Sequence, residues 1–247
     1  MSPCLPLRSL LVTTLSALVL LTASAARADL PSERLYLSRV DVAEDALRNV
    51  IGVAFVHTAF DEERRPSGTL PRYLPSGDAF ELAGTLAVKD LQALSGWDYD
   101  TALRKFPVVE QRGSYIHVVI DVRKNTRAWL RELPRDSTRE GPSLQFLPFD
   151  SKGWQWTGVE YLDLAPGGQA RLYLAAREDA RSHPLSVAQP PRLEGEAVEL
   201  RIIRTKGNFM QVGAMVDLDQ PLVPMGWLRM TDEEGLLLVW PIFASMC

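Results

Sequence analysis

Residues Arg112–Glu132 read RGSYIHVVIDVRKNTRAWLRE, and residues Lys206–Met230 read KGNFMQVGAMVDLDQPLVPMGWLRM. The second stretch rewrites the first. Each opens on a basic residue and a glycine, passes a polar residue and an aromatic, and runs on as an alternating strand. Each then turns to a Trp-Leu pair behind a small residue, at Ala128-Trp129-Leu130 and Gly226-Trp227-Leu228. Shorter matches lie upstream: Gly52-Val53-Ala54-Phe55 with Gly158-Val159-Glu160-Tyr161, Arg72-Tyr73-Leu74 with Leu172-Tyr173-Leu174, and Phe106-Pro107-Val108-Val109 with Leu200-Arg201-Ile202-Ile203. A self-similar unit of roughly 80 to 100 residues is too long for a solenoid repeat and suits a duplicated small domain.

In the first strand of the pair, Ile116, Val118, Ile120 and Val122 fall on one face. Tyr115, His117, Val119 and Asp121 fall on the other. The second copy puts Met210 and Val212 on the apolar face and Phe209 and Gln211 on the mixed one. One apolar and one mixed face predict a sheet packed on one side only.

Outward from this pair, the chain reads as β structure with little helix. The run Val50–Val56 is strand-like, and Thr69 to Leu74 restarts a strand that Pro75-Ser76-Gly77-Asp78 turns. Val159 to Leu164 predicts a strand that Pro166-Gly167-Gly168 folds back as a hairpin onto Ala170 to Ala176. Leu236 to Phe243 predicts a closing strand. Asp41 as N-cap with Glu44 predicts one or two helical turns before the first strand. Leu86, Asp90, Leu91 and Leu94 have helical spacing, with another turn between Trp97 and Phe106; proline-rich 175–195 cannot match it, so the first copy is expected to carry a helical insertion. Pro134 to Pro148 reads as a linker. The expected division is a leader over 1–28, an N-terminal segment with a short helix over 29–48, a first unit over 49–134, a linker over 135–152 and a second unit over 153–247.

The leader rests on Arg8, the apolar run Leu10–Leu21 and the small-residue site Ala26-Arg27-Ala28. These predict a secretory signal peptide cut after Ala28, no permanent membrane span, and a periplasmic or secreted product. Removing it takes Arg8 and Arg27 from 27 basic residues and nothing from 31 acidic ones, leaving a net charge of −6. Such a balance argues against nucleic acid as the partner. With Cys4 gone, Cys247 is alone and no internal disulfide is possible, so burial must hold the fold.

The strings Gly113-Ser114-Tyr115-Ile116-His117-Val118 and Gly207-Asn208-Phe209-Met210-Gln211-Val212, each followed by the Trp-Leu pair, resemble the bacterial SH3-like (SH3b-type) domains of exported proteins. The resemblance covers about 70 residues per copy. It departs from the pattern where Ala128 replaces the glycine and at the helical insertion. It implies a mainly β protein of two tandem SH3-like small barrels, with Trp129 and Trp227 as packing residues. It also implies a non-catalytic binding or scaffold role in the cell envelope, toward a protein, a peptide or a peptidoglycan fragment. An exported inhibitor or immunity protein that blocks a toxin or hydrolase is the alternative, since an acidic surface suits a basic cleft.

Exposed aromatics on the mixed faces are the expected ligand contacts: Tyr115 with His117, Phe209 with Gln211, and Tyr73 (with Arg72) and Tyr173 on the preceding strands. No enzyme is expected. The three histidines, 57, 117 and 183, lack ligand spacing, no nucleophile elbow or phosphate loop is present, and the acidic clusters lie in polar turns. No metal or other cofactor is therefore expected.

Overall fold

The computed structural model describes residues 36–37, 42–59, 66–94, 103–133, 141–155, 158–162, 170–185, 191–217 and 219–242. The expected leader, the cap at Asp41, the turn at Pro166-Gly167-Gly168 and Cys247 lie outside these residues. No helix among the described residues is long and apolar enough to cross a membrane.

The fold is mainly β. One sheet holds β2 (Gly52–His57), β3 (Thr69–Ser76), β4 (Ala79–Ala87), β5 (Leu103–Arg112), β6 (Tyr115–Asp121), β7 (Thr126–Arg131) and β8 (Ser143–Pro148), in the order β4-β3-β7-β6-β5-β2-β8. The other holds β9 (Gly158–Leu162), β10 (Ala170–Tyr173), β11 (Ser182–Leu185), β14 (Leu200–Lys206), β15 (Phe209–Ala214), β16 (Val223–Arg229) and β17 (Val239–Ile242). Their pairing order is β11-β10-β16-β15-β14-β9, with β17 and the parallel β1 (Tyr36–Leu37) also on β9. Substituting β9 for β2, β10 for β3 and onward to β17 for β8 turns the first order into the second. A separate two-stranded hairpin joins β12 (Arg192–Leu193) to β13 (Glu196–Ala197).

The register carries the repeat to single residues. Tyr73 faces Trp129 as Tyr173 faces Trp227, and Arg72 faces Leu130 as Leu172 faces Leu228. An irregularity falls between Val108 and Glu110 in one copy and between Ile202 and Arg204 in the other. The glycines that open β2 and β9 are one place apart, since Gly52 faces Val108 and Gly158 faces Arg201.

Several expectations are corrected. The helix expected over Leu86 to Leu94 is not formed: Leu86 and Ala87 finish β4, and a 3-10 turn, Val88–Asp90, follows. The apolar spacing there reflects a strand that ends by turning Val88 and Leu91 into the core. Leu103 to Phe106 belong to β5, while the expected turn over 97–102 lies outside the described residues. The helix near Asp41 is a 3-10 turn, Glu44–Leu47, with no side-chain cap at Ala43. β9 does not fold back on β10; it pairs with β14 and β17, as β2 pairs with β5 and β8. The stretch read as a linker carries β8, whose Leu144 and Phe146 are buried.

Neither sheet closes into a barrel. In each, one isolated bridge ties the chain just past β7 or β16 to the segment at β8 or before β17, at Leu133↔Leu144 and Thr231↔Leu237. A full ladder is blocked because β3 and β10 already pair along β7 and β16.

β2 explains why its apolar run is continuous. Ala54 and Val56 enter a core with Leu70, Phe106, Val108, Ile116, Val118, Leu130 and Leu144. Val53 and Phe55 enter a second core with Leu47, Val50, Val119, Phe149 and Trp154 from the first part of the chain and Ile202, Met210, Val212, Leu237 and Trp240 from the second. A strand buried on both faces must be apolar throughout. The first sheet is thus covered on its other side as well, at Val119 and Phe55, where one-sided packing was expected.

Backbone bonds stitch the same seam. Arg48 bridges Leu236, Leu237 N donates to Leu47 O at 3.0 Å, and Asn49 N donates to Gly235 O at 2.8 Å. Lys105, 2% exposed, sends Nζ to Pro241 O at 3.3 Å.

Candidate functional site: the outer face of the first sheet

Past the seam, the outer face of β6 is open. Gly113, at φ 58°, makes the tight β5–β6 turn and sets Arg112 opposite Tyr115. Across β6, Tyr115 faces Arg131 on β7. One row inward, Glu110, His117 and Trp129 lie side by side, continued by Tyr73 on β3 and Leu82 on β4. Side chains paired across strands share a face, so these two rows form one surface.

The β3–β4 hairpin folds over that surface through Phe80. Its ring stacks on Tyr115 (centroids 4.1 Å, planes 13° apart) and tilts against Trp129 at 4.9 Å. Tyr73 meets Tyr115 edge-on at 5.0 Å. His117 lies parallel to Trp129 at 4.7 Å. The Arg112 guanidinium sits over Trp129 at 5.2 Å, with Nε donating to Glu110 Oε1 at 2.7 Å. The Arg131 guanidinium sits 5.9 Å from the Tyr115 ring centre. Burial, with the charges of Arg127 and Arg112, holds the His117 imidazole below its usual pKa against the opposing pull of Glu110. Tyr73, Phe80, Tyr115 and His117 are half-buried, Arg112 and Arg131 are exposed, and Leu82 on the same side is 67% exposed.

The second copy repeats the geometry in a closed form. Tyr173 meets Phe209 edge-on at 5.5 Å, and Arg204 sits over Trp227 at 5.4 Å while bonding Gln211 Oε1 at 2.7 Å. Gly226 is required here, because a Cβ would stand 2.7 Å from Tyr173 O. Phe209 is only 6% exposed, which corrects its expected exposure. The bend after β10 reaches one end of the row, with Glu178 Oε1 2.9 Å from Arg229 Nη2.

Of the expected site residues, Tyr73, Tyr115 and His117 come together on the first sheet, and Tyr173, Phe209 and Gln211 on the second. Trp129 and Trp227 are buried (7% and 8%), but they belong to this outer cluster and not to either apolar core. Phe80, Leu82, Arg112 and Arg131 were missed. Their signal is cross-strand register, which needs the pairing of β3, β4, β5 and β7.

An open cleft of about 610 Å³ lies between the halves, lined by Ile51, Phe149, Asp150, Asn208 and Thr231 among others. Its Asn208 is committed to Thr231, accepting from the backbone N at 2.9 Å and donating to O at 2.8 Å. Among the described residues no three His, Cys, Asp or Glu side chains converge on one point. The aromatic face is therefore the stronger site: it joins several rings, two guanidiniums and an exposed leucine on one rigid sheet. Comparison with protein-family models finds no match to the chain, and comparison with curated proteins and with solved structures finds none either.

Proposed function

We propose that the chain is a non-catalytic binding protein of the cell envelope, exported by the leader over 1–28, which holds an extended ligand against the outer face of its first half. The observation that carries this reading is the Tyr73–Phe80–Tyr115–Trp129 cluster with His117, partly open to solvent on the face of the first sheet turned away from the core of Ala54, Ile116 and Val118. Rings fixed by one another lose little freedom on binding, which suits them as a platform. We read each half as an SH3-like unit. In support, a hairpin, a three-stranded meander and a return strand follow in the same order in both copies, and each carries the single bridge expected of a sheet curling toward closure.

The test is retention of envelope proteins and of purified cell-wall sacculi on the immobilised chain, wild type beside Tyr115→Ala and Leu82→Ala. The expected result is a ligand held by wild type and lost from both variants while their melting curves stay cooperative. Retention equal in all three would overturn the face as the site. Capture of one secreted hydrolase with loss of its activity would select the inhibitor reading instead.

A further inference from the structure

The chemistry of the ligand follows from comparing the two copies, and this step rests on the reading of the first outer face as a binding surface. Register places Arg112, Tyr115 and Arg131 abreast on β5, β6 and β7, and Lys206, Phe209 and Arg229 abreast on β14, β15 and β16. Both rows are cation, aromatic, cation.

In the second row the carboxylate of Glu178 lies on Arg229 at 2.9 Å, and the arginine side chain is 15% exposed. Glu178 arrives from the bend that follows β10, the strand of Tyr173. In the first copy the chain takes a different course at that point. After Tyr73 it continues through Leu74 to Ser76, turns at Gly77-Asp78 and returns as β4, and among the described residues no carboxylate pairs with Arg131 as Glu178 does with Arg229. Among the described residues Arg131 has the Tyr115 ring as its contact and forms no ion pair, and it is exposed.

We propose that the first half takes from a partner what the second half supplies to itself: a carboxylate seated on Arg131 beside Tyr115. An arginine fork against a ring is suited to such a group, because the guanidinium can hold two oxygens while its face stays on the aromatic. The carrier is an extended peptide segment. Leu82, Phe80 and Tyr73 continue from the row as an apolar strip that takes the side chain beside the acid. A polyanion is disfavoured, since Glu110 already engages Arg112 and the whole chain carries −4.

The experiment uses the chain without its leader and three dye-labelled, end-blocked heptapeptide pools. Each pool has a fixed centre of glutamate, glutamine or phosphoserine followed by leucine, with random uncharged flanks, and binding is read by fluorescence anisotropy. The glutamate pool should bind about tenfold tighter than the glutamine pool. Arg131→Gln should erase that preference, and Arg131→Lys should keep only part of it. Equal binding of the glutamate and glutamine pools, lost in Tyr115→Ala, would overturn the carboxylate while the face as a site stands. A phosphoserine pool that outbinds glutamate would overturn the carboxylate in favour of a phosphate. Binding unchanged in both Arg131→Gln and Tyr115→Ala would overturn the site itself, and no binding by any pool would overturn the acidic peptide.

Discussion

His117 lies flat on Trp129, with ring planes 4° from parallel and centroids 4.7 Å apart. The stack joins neighbouring strands at a directly paired position, and it partly removes the imidazole from water while Arg127 and Arg112 stand near it. All three influences disfavour the protonated ring.

A pH dependence follows. The folded-state pKa of His117 lies below its unfolded value, so the unfolded chain takes up the proton first as pH falls. The stability contributed by the neutral ring is present above the ordinary histidine value of about 6.5 and is lost as pH drops toward the folded value. The melting temperature of wild type should therefore fall between pH 7.5 and 5 by more than that of His117→Gln, which borrows the residue of the second copy. Parallel melting profiles for the two proteins would remove this role.

Trp129 and Tyr115 separate structure from binding. Trp129 is buried between Phe80, His117 and the Arg112 guanidinium, and Trp129→Ala should cost about 3–4 kcal/mol by urea denaturation. Tyr115 is half-buried and chiefly edges and stacks on rings, so Tyr115→Ala should cost about 1–2 kcal/mol. A reversed order would mean that Tyr115, not Trp129, anchors the hairpin.

The seam should make the two halves unfold together. Gly235 has φ 79°, and a Cβ added to it would lie 2.6 Å from Asn49 Oδ1. Gly235→Ala should cost about 1–3 kcal/mol, and it should shift a single calorimetric transition as a whole. Two resolved transitions, only one of them moved, would show that the shared core does not couple the halves.

Glu178 tests the closed row in isolation. Arg229 Nε is buried with no hydrogen-bond partner among the described residues, so Nη2 relies on the glutamate. Glu178→Gln should destabilise by no more than about 1 kcal/mol, since the carboxylate is itself largely exposed, and the loss should shrink in 1 M salt. A salt-independent loss would assign the effect to packing of the bend.

The duplication was legible in the sequence because its markers are local: a tight turn at Gly113 and Gly207, an alternating strand, and a Trp-Leu pair. What escaped was long-range. Leu86 to Leu94 has the spacing of a helix, but hairpin pairing of β4 with β3 overrides a local period that short. The second burial surface of β2 was visible only as an unbroken apolar run, which equally fits a strand inside a single barrel. Arg131 and Arg112 look like ordinary turn-flanking charges until register sets them on either side of Tyr115. Phe209 reads as open as Tyr115 in the sequence, and no local pattern announces that Glu178 reaches Arg229.

The contacts of Arg48 with Glu234 and Leu236 set an order of assembly. Arg48 Nη1 reaches Glu234 Oε2 at 3.2 Å across a sequence separation of 186 residues, and the neighbouring Leu47 receives the amide of Leu237. Closing so long a loop delays folding, because chain entropy is surrendered before the contact rewards it. A chain emerging from its N-terminal end can form the first half's own core early. The outward faces of Leu47, Val53 and Phe55 must wait for the stretch from Leu236 to Trp240. Until that stretch arrives, the first half is expected to present an uncovered apolar wall, and docking of Leu236 to Trp240 is the step expected to end that exposure to aggregation.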